Sequence, residues 1–214
     1  IGEREIPGAV GSAVLMDIDG VRLLVTAAHV IADWAPVSTL YLPGASGLVK
    51  IDGLEFSSEK SFDIAVAILP DAMLTELQSL TFLEEADCRA MGSLHPAYVV
   101  ALGYPASRNR ARWGQQSIRN APYMIGGMPR CSSFRAVSFR YSKGKNRTSG
   151  ARQKVIGPDL WGMSGGAMFA TRIGRSAELF LVGIGTDWVW RKSQVDGCAW
   201  PVVIRFIREV LRKR

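Results

Sequence analysis

Apolar positions along the chain fall into short runs of strand length, separated by breaks that contain Gly or Pro. Ser12 to Met16 reads as a strand, Asp19-Gly20 carries the type I′ turn signal, and Val21 to Thr26 reads as the return strand. The segment from Gly11 to Val30 therefore predicts a β-hairpin, with a short helical turn over Ala27 to Ala32. Tyr41-Leu42, Leu48 to Ile51 and Leu54 to Phe56 are short strand candidates. Ile64 to Leu69 is an unbroken apolar run of buried-strand length that Pro70 stops. Residues 71–87 are acidic and less regular, and leave a short helix or a short strand open. Tyr98 to Leu102 predicts a buried strand, and 106–133 predicts mostly loop with short strands. Phe134 to Tyr141 alternates apolar and basic residues, which predicts a half-buried strand with its aromatic side chains facing a core. A basic loop over Ser142 to Lys154 follows. Ala167 to Arg172 and Leu179 to Ile184 predict strands joined through Gly174. Pro201, expected at the first helical position, opens a helix to about residue 213, with Val203, Phe206, Ile207, Val210 and Leu211 at helical spacing. The expectation is an all-β protein with one terminal helix packed on its second half.

Composition narrows the class. The 214 residues are 48% apolar and 21% charged, ordinary values for a soluble globular chain. Cys88, Cys131 and Cys198 are odd in number and widely spaced, with no CxxC pair. This argues against a disulfide framework and against a zinc site, and favours a reducing compartment. No apolar run is long enough to span a membrane. Charge is distributed unevenly. Residues 1–87 hold 4 Lys/Arg against 14 Asp/Glu, whereas residues 88–214 hold 22 against 5. Between Cys88 and Pro158 there are 13 bases and no acid. Such asymmetry points to two halves that attract each other, or to a basic face for an acidic protein partner. The basic stretch 107–154 is interleaved with Trp113, Tyr123, Phe134, Phe139 and Tyr141, a combination suited to single-stranded nucleic acid. No nucleic-acid module accompanies it, so an acidic protein or the acidic first half is the favoured partner.

Candidate chemistry centres on Gly162-Met163-Ser164-Gly165-Gly166. A serine between glycines suits a nucleophile on a sharp turn whose small neighbours let backbone N–H groups point at a developing oxyanion. The same letters fit the elbow of α/β-hydrolases, but that fold needs its histidine after the serine. Both histidines here, His29 and His95, precede it. A serine nucleophile needs a base, and the base needs an orienting acid. His29 lies at the end of a predicted strand. Asp63 opens the buried run Ile64 to Leu69, where a carboxylate is costly without a partner.

Thr26-Ala27-Ala28-His29, Asp63-Ile64-Ala65-Val66 and Gly162-Met163-Ser164-Gly165-Gly166, in that order and 34 and 101 residues apart, resemble the three signature segments of the trypsin/chymotrypsin superfamily. The resemblance implies two antiparallel β-barrels with a C-terminal helix. Residues 1–90 would form the barrel carrying His29 and Asp63, and residues 91–214 the barrel carrying Ser164, with the helix at about 201–213. It implies a serine endopeptidase acting on protein or peptide substrates through an acyl-enzyme, with no metal and no cofactor. In that reading Ser164 attacks, His29 acts as base and then acid, and Asp63 holds His29. The N–H groups of Gly162 and Ser164 form the oxyanion hole, and Thr186, Asp187 and Trp188 pair with extended substrate backbone. Asp159 lies near where this family builds the wall of its primary pocket. Asp159 or Asp187 would favour Lys or Arg in the substrate, unless both are solvated or paired with nearby bases. Two departures matter. Met163 stands where digestive relatives carry an Asp that receives the cut N-terminus, and the disulfide flanking the histidine is missing. Both favour the bacterial type, similar to the protease domain of high-temperature-requirement proteases. A cytoplasmic location is then expected, with periplasmic or secreted as alternatives, and membership of a larger multidomain assembly stays open. The competing reading is a catalytically silent or latent module of this fold that uses its basic half to bind an acidic protein or nucleic acid.

Overall fold

The computed structural model describes residues 9–45, 47–94, 98–109, 121–147, 154–172 and 178–213. His95, Gly174, Trp113, Arg110, Arg112, Arg119 and Arg152 lie outside the described residues. The hairpin forms as β1 (Val14–Ile18) and β2 (Val21–Thr26), in register from Val14↔Val25 to Ile18↔Val21 around Asp19 and Gly20, both at positive φ. The helical turn is α1 (Ala28–Trp34). Then come β3 (Tyr41–Pro43), β4 (Leu48–Lys50), β5 (Phe56–Glu59) and β6 (Ile64–Ile68). The ambiguous acidic segment resolves into both options, α2 (Asp71–Leu77) and β7 (Leu83–Glu84). The second half carries β8 (Tyr98–Gly103), β9 (Tyr123–Gly127), β10 (Pro129–Ser132) and β11 (Ala136–Arg140). It continues with β12 (Asn146–Arg147), β13 (Lys154–Val155), β14 (Ala167–Arg172), β15 (Glu178–Val189), β16 (Gln194–Ala199) and α3 (Trp200–Arg212).

The strands make two main sheets. One has the order β5-β6-β2-β1-β7, in which β7 runs parallel to β1 and departs from the expected all-antiparallel pattern. The other has the order β10-β11-β16-β15-β14-β8-β9. Its two ends curl toward each other, since the Arg140 N–H donates to the Met128 carbonyl at 3.4 Å. This is the expected β-architecture of two sheet units closed by a C-terminal helix.

Burial explains why β6 reads as an unbroken apolar run and why β1 and β2 are largely apolar. Leu15 and Leu24 face a core with Leu40, Val49, Ile51, Leu69 and Leu77 on one side of the first sheet. Val14, Met16, Ile18, Leu23, Val25, Ile64 and Val66 face a second core on the other side. A sheet covered on both faces loses the polar alternation that marks a half-exposed one. That second core is the seam of the molecule. It takes Leu181 and Ile184 from β15, Cys198 from β16, and Trp200, Val202, Val203 and Ile207 from α3. The helix was expected on the second half alone, but it packs against both. Arg205 lies over the Phe62 ring, and the Arg208 guanidinium grips the Glu85 carboxylate at 2.9 and 3.1 Å. Pro201 occupies the second helical position, after Trp200, where its missing N–H is still not needed. A third core fills the second sheet around Val99, Val137, Phe139, Tyr141, Met163, Met168 and Val182. Phe139 and Tyr141 face inward as predicted. Phe134 does not: it sits at the tip between β10 and β11 and is 63% exposed. The three thiols are free, and burial pushes those of Cys88 and Cys198 up to about 12.

The seam sets the stability of the whole, so Ile207→Ala is expected to destabilise the chain by about 2–5 kcal/mol. Urea unfolding checks this: the loss should appear in one transition that involves both sheets, because α3 touches both.

Candidate active site

Asp63 closes the turn that follows β5, with its N–H donating to the Lys60 carbonyl at 3.3 Å. Its φ of +53° lies in the left-handed region, which Asp tolerates better than most residues at a cost of about 1–2 kcal/mol. The strained turn aims three acceptors at α1. The backbone carbonyl of Asp63 accepts from the Ala28 N–H at 3.1 Å. Its Oδ1 accepts from the His29 N–H at 2.9 Å, and its Oδ2 lies 2.7 Å from His29 Nδ1. These N–H groups belong to the first turn of α1, whose own N-cap, Ala27, has no side chain to satisfy them. One carboxylate thus caps the helix that carries the histidine and orients its ring. The network assigns the proton to Nδ1, which leaves the Nε2 lone pair outward. His29 sits inside α1, three residues past Thr26 at the end of β2, rather than at the strand end where the sequence suggested it.

The imidazole is held above its ordinary pKa of 6.5. The largest cause is the hydrogen bond to Asp63. Partial burial opposes it, and the negative charges of Asp63, Asp33 and Asp187 add to the rise. Asp33 escaped sequence reasoning: it lies just past the predicted turn over Ala27 to Ala32, and the longer α1 brings it one helical turn from His29.

Ser164 lies on the turn after Gly162. The Met163 N–H donates to the Leu160 carbonyl at 2.9 Å, and Gly162 at φ +89° occupies the position that a type II turn reserves for glycine. The Trp161 carbonyl accepts from the Ala106 N–H at 2.7 Å, so the N–H of the same peptide, that of Gly162, faces away from Ala106. Among the described residues, no backbone carbonyl takes the N–H of Gly162 or Ser164. Gly165, at φ +86°, packs so tightly that a Cβ there would collide with the Ser12 carbonyl and the Thr26 hydroxyl.

Ser12 is the other residue that sequence reasoning missed. It read as one letter of a strand, but it stitches the two halves together. Its N–H donates to the Ser164 carbonyl at 2.7 Å and its hydroxyl to the Gly162 carbonyl at 2.8 Å. The same hydroxyl accepts from the Tyr104 N–H at 2.9 Å, and its carbonyl accepts from the Thr26 hydroxyl at 2.7 Å. All four links are local facts of tertiary structure with no sequence signature.

His29, Asp33, Gly162, Ser164, Asp159, Asp187, Trp161 and Trp188 line one cleft of about 500 Å³. Thr186, Asp187 and Trp188 lie on the part of β15 beyond the end of its pairing with β14, where β16 is its described sheet neighbour. The Thr186 hydroxyl donates to the Asp196 carbonyl at 3.4 Å. Asp159 is paired, its Oδ1 lying 2.6 Å from Lys143 Nζ. Met163 turns its side chain into the second-sheet core. Arg130, Arg135 and Arg140 of the basic stretch are exposed. Among the described residues no group of three or more His, Cys, Asp or Glu is arranged to hold a metal ion, and no helix is long and apolar enough to cross a membrane.

No protein-family description and no curated protein sequence matches the chain. Solved structures do. The serine protease domain of the Sesbania mosaic virus polyprotein superposes with a TM-score of 0.56 at 17% identity, over 92% of this chain and 85% of that one. A second structure, concerned with aromatic interactions in the coupled folding and binding of the intrinsically disordered Sesbania mosaic virus VPg protein, gives 0.56 at 16%, over 92% and 83%. A Glu endopeptidase gives 0.51 at 12% identity, over 98% of both chains. At such identities the likeness is one of fold: this chain has the trypsin/chymotrypsin-like double-barrel fold.

Ser12→Ala is expected to leave the Gly162 carbonyl and the Tyr104 N–H without their buried partner, a loss of about 1–3 kcal/mol. Urea denaturation measures it. Ser12→Thr, which keeps the hydroxyl, should recover part of that loss.

Proposed function

We propose that this chain is a serine endopeptidase that cleaves protein or peptide substrates through an acyl-enzyme. The observation that carries the reading is the pair of hydrogen bonds that the His29 N–H and Nδ1–H donate to the Asp63 carboxylate, with His29 lining the same cleft as Ser164. The fold shared with a viral serine protease domain and a Glu endopeptidase supports it.

In this mechanism Ser164 Oγ attacks the scissile carbonyl carbon while its proton passes to His29 Nε2. The carbonyl π pair moves onto oxygen, where the N–H groups of Gly162 and Ser164 receive the charge. Asp63 keeps Nδ1 protonated and stabilises the imidazolium. Collapse expels the amine, which takes the proton from His29 and leaves the substrate acyl group on Ser164. Water then gives a proton to His29, attacks the ester and releases the acid, and the serine recovers its proton. Extended substrate backbone pairs with the open stretch Thr186 to Trp188 as an added strand.

Labelling with a fluorophosphonate probe tests the assignment. Wild type should be modified at Ser164, found by mass spectrometry of the peptide. Ser164→Ala and His29→Ala should abolish it, and Asp63→Asn should slow turnover by roughly 10⁴-fold. Absence of labelling in wild type would turn the reading to a latent or silent module that binds without cutting.

The pH profile gives a second check. His29 must be neutral to accept the serine proton, and its folded pKa is raised. The limb of kcat/KM that rises with pH should therefore lie above 6.5. Asp33→Asn removes one of the charges that raise it, so the limb should move down in pH. An unmoved limb would mean that the carboxylate is screened from His29.

A further inference from the structure

The cleft continues past Asp159 and Trp188 into a second cavity of about 470 Å³ that shares both residues with it. Tyr141, Trp188 and Trp190 give this cavity aromatic walls, and Ser142 and Ser193 line it too. The Tyr141 and Trp188 rings already meet edge to face, 6.0 Å apart at 72°. Trp188 also carries a buried Nε1–H with no acceptor among the described residues, so the wall holds an unmet donor. Across the lining, Lys143 Nζ donates to Asp159 Oδ1 at 2.6 Å.

Asp159 lies five residues before Ser164, on the segment that leads into the nucleophile turn. If the chain cleaves peptides, a substrate strand paired along Thr186 to Trp188 brings the side chain next to the scissile carbonyl to the mouth of this cavity. Charge at that side chain meets a neutralised pair. A cation meets the Lys143 ammonium, an anion meets the Asp159 carboxylate, and neither gains from a net field of opposite sign. Desolvating a charge without a partner is costly. An aromatic ring loses nothing of this kind, and edge-to-face contact with walls such as these is favourable. Asp159 was expected to favour Lys or Arg unless it was solvated or paired with a nearby base, and Lys143 is such a base.

We propose that the Lys143–Asp159 ion pair is a charge gate on substrate choice, making this cavity select an uncharged aromatic side chain beside the scissile bond and reject acidic and basic ones. The inference rests on the peptidase reading for where the scissile bond lies, and its test does not depend on catalysis. Three fluorescein-labelled peptides that differ only at the residue beside the scissile bond, Tyr, Lys or Glu, are titrated against the Ser164→Ala chain by anisotropy.

The Tyr peptide should bind at least roughly tenfold tighter than the other two. Adding Lys143→Ala, which leaves the Asp159 carboxylate alone, should shift preference toward the Lys peptide by about tenfold. Adding Asp159→Asn, which removes the carboxylate charge from beside the Lys143 ammonium, should shift it toward the Glu peptide instead. A merely structural ion pair would weaken all three peptides together, and that result overturns the proposal. So does equal binding of the three by the Ser164→Ala chain, or no binding at all. Fluorophosphonate labelling of wild type separates the two levels. A labelled Ser164 without the reciprocal switches sinks the gate alone. Reciprocal switches without labelling leave the gate standing in a chain that does not cut.

Discussion

The site depends on one buried residue at the junction of the sheets. Ser12 spends its N–H, hydroxyl and carbonyl on Ser164, Gly162, Tyr104 and Thr26. Thr26 ends β2, three residues before His29, while Gly162 and Ser164 lie on the glycine-rich turn. A single residue, through its backbone and its hydroxyl together, therefore ties the strand that leads to His29 to the turn that carries Ser164. Each of its groups is desolvated, so release of any one leaves a buried polar atom unpaired, and the two halves are held in fixed register. The tight fit of Gly165 against the same Ser12 carbonyl has the same consequence: there is no slack between the units at this point.

Asp63 supplies the second constraint, on orientation rather than position. Its left-handed backbone is tolerable because the same turn satisfies two helix N–H groups and one ring nitrogen. The arrangement also sets the electrostatics. Burial favours neutral imidazole, whereas the Asp63 hydrogen bond and three surrounding carboxylates favour imidazolium, and the latter prevail.

Among the described residues, part of the charge asymmetry is met at individual ion pairs. The basic C-terminal helix reaches the acidic first half through Arg208 and Glu85, and the basic loop reaches an acid of its own half through Lys143 and Asp159. The remaining exposed arginines on β10 and β11, with Phe134 at the tip between them, face outward.

The order and spacing of His29, Asp63 and Ser164, the glycines around the serine, and the apolar runs of the strands were legible because each is a local requirement. A sharp, closely packed turn needs small residues, and a doubly covered strand needs apolar ones whatever surrounds it. The terminal helix was legible in the same way, from its own periodicity. Its docking across both sheets was not, because an amphipathic stripe states that a face is buried without saying against what. Nor was the role of Ser12, the pairing of Asp159 with Lys143, or the nearness of Asp187 to His29. Those depend on which side chains meet across tens of residues, and a hydroxyl or a carboxylate carries the same letter whether solvated or paired. Chain chemistry named the candidate groups; only folding could choose their partners, since a partner is a matter of distance in space and not along the sequence.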